Sequence, residues 1–181
     1  MCGVGGERGP ARALMSCSLV VGLLGAAPVH AGAPRQGHRA ETLHPRAALE
    51  DTIPELKLAR QGARERLADP RCQAVLTDFR SVNGGRLDQV LHASGRTAQE
   101  QLDRLVLESG LGRPACDRDV SLAFTRIGSS AVSICLRPFT LLPRSEQEAV
   151  LIHEMLHSLG LGERPPESVA ITAQVLKRCG H

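Results

Sequence analysis

The chain has no tryptophan, no tyrosine and three phenylalanines in 181 residues. That scarcity argues against base-stacking platforms and aromatic cages, and it leaves Leu, Val, Ala and Ile to build the core. Charge of one sign is also lacking. The formal net charge is +3, and the arginines are scattered among acids, so no nucleic-acid footprint is expected. No C-x-x-C pair occurs, and there is no internal repeat or low-complexity tract. The length points to one domain.

The one sustained apolar stretch, ALMSCSLVVGLLGAAPV, lies near the N-terminus behind Arg8 and Arg12. It is too short and too glycine-rich for a comfortable membrane span, and it ends at Val29-His30-Ala31, a small-x-small signature. Residues 1–31 are therefore expected to be a signal peptide, the mature chain to start near Gly32, and the protein to be secreted or periplasmic. Once exported, it is expected to have no membrane association and to be a monomer. Removal of the signal takes Cys2 and Cys17 with it and leaves Cys72, Cys116, Cys135 and Cys179. An even number in an exported chain predicts two disulfides, with three connectivities open. Cys116–Cys135 would close a local loop around a hairpin. Cys72–Cys179 would then tie the C-terminal segment back to an earlier helix.

Residues 32–50 are polar and punctuated by Pro and Gly, which predicts a flexible lead-in with His38 and His44 in solvent. From about Thr52 the pattern becomes helical. Leu56, Ala59, Ala63 and Leu67 recur at helical steps, and a further helix opens at Asp69-Pro70, carrying Cys72, Val75, Leu76 and Phe79. Asn83-Gly84-Gly85 reads as a helix end rather than a hairpin. Another helix is expected from Leu87, with His92 structural or exposed. TAQE at Thr97 is a capping box for the next helix, with Leu102, Leu105 and Val106 on its apolar face. GLGRPACDRD reads as loop. VSLAFTR and SAVSICLR, joined by Ile127-Gly128-Ser129, read as a hairpin near 120–137. Ser145-Glu146-Gln147-Glu148 is a second capping box, opening an apolar run through Leu159. A last helix is expected from about Glu167, with Val169, Ala173 and Leu176 on one face. The expected class is α+β, mostly helical, with a β-hairpin or small antiparallel sheet in a domain over 51–181.

The chemistry gathers in the stretch LIHEMLHSLGLGERPPE. His153 and His157 lie one helical turn apart, so both imidazoles can reach one ion. Zinc takes neutral imidazole well, and a catalytic zinc site uses three protein ligands. Glu154, beside the first histidine, is placed to accept a proton from an activated water. Gly160 and Gly162 break the helix, and Glu163 follows.

HEMLHSLGLGE, residues 153–163, fits H-E-x-x-H-x-x-G-x-x-ligand and resembles the active-site helix of zincin metallopeptidases, the metzincin branch in particular. That resemblance covers eleven residues. It implies a zinc-dependent peptidase acting on a peptide or protein substrate. His153, His157 and Glu163 would be the metal ligands, and Glu154 the base. The family usually has His at the third ligand, and snapalysin-like peptidases have Asp; a Glu oxygen is also an acceptable zinc ligand. The sequence departs from the family in having no methionine after Met155 and no tyrosine to support the transition state. Glu167 and His181 are the other candidates for third ligand, and Arg164 is a candidate oxyanion partner that reads more simply as a surface residue. Two other readings stand beside the peptidase: a zinc-binding but non-catalytic exported module, and a disulfide-stapled domain without metal.

Overall fold

A computed structural model describes residues 49–117 and 121–180. The expected signal peptide, most of the lead-in with His38 and His44, and His181 lie outside the described residues. No described helix is long and apolar enough to cross a membrane.

The helices are α1 (Leu49–Thr52), α2 (Pro54–Arg66), α3 (Pro70–Gln73), α4 (Val75–Asp78), α5 (Leu87–Ala93), α6 (Ala98–Asp103), α7 (Pro114–Asp117), α8 (Leu136–Thr140), α9 (Arg144–Ser158) and α10 (Ser168–Cys179). Three short strands, β1 (Val106–Ser109), β2 (Ala123–Thr125) and β3 (Ala131–Ile134), form one sheet in the order β1-β3-β2. The α+β class follows directly.

Everything is arranged around α9. Its residues from Gln147 to His157 are all buried, the condition of a helix covered on every side. α2, α6, α10 and β2 pack around it. Leu56, Ala59 and Ala63 give α2 its buried stripe, at the predicted steps. The TAQE capping box forms: Thr97 Oγ1 accepts from Glu100 N–H, and the Glu100 carboxylate accepts from Thr97 N–H. Two disulfides are present, Cys72–Cys179 and Cys116–Cys135. The first holds the end of α10 against α3, and the second ties α7 to the residue that follows β3.

Several local expectations are corrected. The expected hairpin pair forms between β2 and β3, and the sheet gains an unexpected third strand: β1 runs parallel to β3 with Val106 opposite Ala131. Val106 is therefore in a strand, not on the α6 face, because pairing with a strand some 25 residues away outcompetes one more helical turn. Pro114–Asp117, expected as loop, makes a single helical turn. Asn83-Gly84-Gly85 does not end a helix. It lies in a tight turn closed by an Arg80–Arg86 bridge, with Gly84 at φ 86°. The second capping box does not form. α9 begins after Pro143 without a side-chain cap, and Glu148 is buried against Arg66 instead. The Arg66 guanidinium also donates to the Cys179 carbonyl. Finally, α10 buries Ile171, Val175 and Cys179, whereas Val169 is 76% exposed and Leu176 38%. The disulfide at Cys179 requires that residue to face inward, and residues four and eight positions earlier turn inward with it.

Candidate metal centre and its cleft

The exit from α9 shapes the site. Gly160 has φ 99°, its N–H donates to the His157 carbonyl (3.0 Å), and the Leu161 N–H donates to the Leu156 carbonyl (3.1 Å). This is the Schellman pattern, with buried Leu156 and Leu161 as its apolar pair. The turn is then held from outside. Val82 N–H donates to the Gly160 carbonyl at 2.9 Å, and Ser81 bridges Leu161. A Cβ on Gly162 would lie 2.7 Å from Cγ1 of the exposed Val82, so a larger residue there would displace that side chain. The 80–86 turn thus braces the segment that carries Glu163.

His153 and His157 turn their Nε2 atoms toward each other, 2.9 Å apart. Glu163 Oε1 lies 3.3 Å from His157 Nε2 and 3.8 Å from His153 Nε2. These three side chains form a group that could hold a metal ion, matching the predicted set. Glu167 is exposed at the N-cap of α10 and is not part of the group. Arg164 is exposed and borders a separate depression with Val82 and Pro165. His92 is exposed on α5.

The far nitrogens of both imidazoles are engaged. His157 Nδ1 lies 2.8 Å from the Leu161 carbonyl. A carbonyl only accepts, so Nδ1 carries the proton and Nε2 of the neutral ring keeps its lone pair. His153 Nδ1 lies 2.9 Å from the Thr172 hydroxyl of α10. Burial and the neighbouring His157 push the His153 pKa down to about 4, against the pull of Glu163. At neutral pH this imidazole is uncharged, the form that ligates metal.

Glu154 is 5% exposed, and burial raises its pKa to about 6, with Glu163 adding to the rise and Thr125 and His157 opposing it. Its Oε2 has no hydrogen-bond partner, and neither has the Thr125 Oγ1 on the facing strand, which is near enough to influence the carboxyl without completing a well-formed bond. Buried polar atoms are rarely left unpaired, so this wall is chemically poised toward what enters the cleft. The cleft has a volume of about 580 Å³. β2 forms one wall, α9 the floor, and Ser168 and Thr172 of α10 the opposite side. The donor set of two imidazoles and a carboxylate suits a borderline divalent ion such as zinc.

Sequence reasoning missed Thr125, Thr172 and the Leu161 carbonyl. Ser168 and Thr172, polar and one turn apart at the start of the last helix, were the available signal. A backbone carbonyl leaves none.

No family model, curated protein or solved structure matches the chain.

Proposed function

We propose that the chain is an exported zinc-dependent peptidase of zincin type, with His153, His157 and Glu163 as ligands and Glu154 as general base. The observation that carries the reading is the approach of the Glu163 carboxylate to both Nε2 atoms, with Glu154 in the same cleft. Zinc, when bound, supplies Lewis-acid polarisation of a carbonyl and a more acidic water. Glu154, its affinity for protons raised by burial, takes the proton of the attacking water and later delivers it to the leaving amine. The two disulfides support an oxidising compartment, and with it export.

Substrate alignment follows from β2, an edge strand of the sheet. The Cys135 N–H donates to the Leu122 carbonyl at 3.0 Å, so Leu122 and Cys135 are a hydrogen-bonded pair. Antiparallel alternation makes Phe124–Ser133 the next such pair and turns the N–H and C=O groups of Ala123 and Thr125 away from β3. An extended peptide can add to that edge, which is unpaired among the described residues, beside the ligand group.

The test is hydrolysis of casein or a peptide library by zinc-loaded protein. Wild type is expected to turn over substrate, and Glu154→Gln to bind zinc normally while losing about 10²–10⁴-fold in rate. If both proteins carry zinc and both are inert, the second reading holds, a zinc-binding module without catalysis. The observation favouring that alternative is a cleft lining with no arginine, lysine or tyrosine among the described residues to stabilise an oxyanion.

A further inference from the structure

The contact between Thr172 and His153 carries an inference that rests on the metal reading but not on catalysis. His153 Nε2 faces His157 Nε2 at 2.9 Å and Glu163 Oε1 at 3.8 Å, so it is the nitrogen this ring would turn to an ion. Its other nitrogen, Nδ1, lies 2.9 Å from the Thr172 hydroxyl of α10. A neutral ring that ligates through Nε2 carries its proton on Nδ1, and the hydroxyl oxygen can accept it.

We propose that Thr172 is a positioning residue for the metal centre, whose hydroxyl accepts from His153 Nδ1 and holds the ring with Nε2 aimed at a divalent ion. Thr172 is well supported for this work. Its neighbours Ile171 and Val175 are buried, the Cys72–Cys179 disulfide pins the end of α10, and Arg178 and Gln174 both donate to Asp78.

Thr172→Val keeps the shape and removes the hydroxyl, while Thr172→Ser keeps the hydroxyl. Zinc affinity measured by competition with a chromogenic chelator should fall about 10–100-fold for the valine variant and stay within about threefold for serine. Nitrogen-15 shifts of the zinc-loaded wild type, which need no variant to fold, should show His153 protonated at Nδ1 and bound to the metal through Nε2. Equal zinc affinity in wild type and Thr172→Val overturns the proposal, as does His153 binding zinc through Nδ1, or a serine variant as weak as the valine one. A wild type that takes up no zinc overturns the metal reading itself, and this proposal with it.

Discussion

His153 and His157 ride on a helix buried along its length, each with its Nδ1 engaged, whereas the Glu163 side chain stands on a turn and is 42% exposed. Its carboxylate faces those two histidines. The imidazoles are therefore tied to the fold, because removing one leaves buried polar groups unpaired. The carboxylate is tied to the proposed ion rather than to the fold, because its own removal exposes nothing that water cannot reach. Stability of the metal-free protein and affinity for metal should separate along this line.

The sharpest way to break the comparison is His157→Ala. It orphans the buried Leu161 carbonyl and leaves a cavity under the turn. Denaturant unfolding without metal should show a loss of about 2–4 kcal/mol.

Glu154→Gln should move the other way. The folded protein holds the Glu154 carboxyl near 6 rather than its ordinary 4.5. A raised carboxyl pKa means the fold disfavours the charged form, so the cost is full above pH 6 and absent below 4.5. The variant should be more stable than wild type by about 2 kcal/mol at pH 7–8, with the difference fading as pH falls through that window. His153 has the opposite slope. Its pKa is held near 4 against an ordinary 6.5, so it favours the fold above 6.5 and that contribution is lost on acidification toward 4. The two nearly cancel in wild type between about pH 6 and 4.5, and Glu154→Gln should lose stability there more steeply. Unfolding curves at several pH values check both statements.

Gly160→Ala forces a Cβ into φ 99° and toward Ser81 Cβ at 3.2 Å. It should lower the unfolding free energy by about 1–2 kcal/mol, and it should weaken zinc binding as well, because the same turn carries Leu161 and Glu163. Smallest on stability is Glu163→Gln, expected to stay within about 0.5 kcal/mol of wild type without metal. A large loss there would show that the carboxylate belongs to the fold after all.

The candidate ligands were legible in the sequence because they are local: one helical turn, one glycine exit, and a carboxylate three residues later. So were α2, α5 and the Thr97 cap, whose patterns are answered within a few residues. What failed to read out was decided at a distance. Glu148 fits a capping box, but Arg66, 82 residues away, claims its carboxylate. Val106 continues a helical spacing, but β3 offers it a ladder. Val169, Ala173 and Leu176 make as good a stripe as Ile171, Val175 and Cys179 until Cys72 fixes which one faces inward. Thr172 looks like any helix threonine until α10 is docked beside α9. The general lesson is physical: periodicity states that a helix has a face, and non-local partners choose which.

The most direct test of the central claim is a zinc titration of purified wild type and Glu163→Gln, with bound metal counted per chain and affinity read by chelator competition. The account predicts one zinc per wild-type chain, and binding weakened by at least about tenfold in the variant with the same metal-free stability. Wild type that binds no zinc, or a variant that binds it as tightly, would contradict the account.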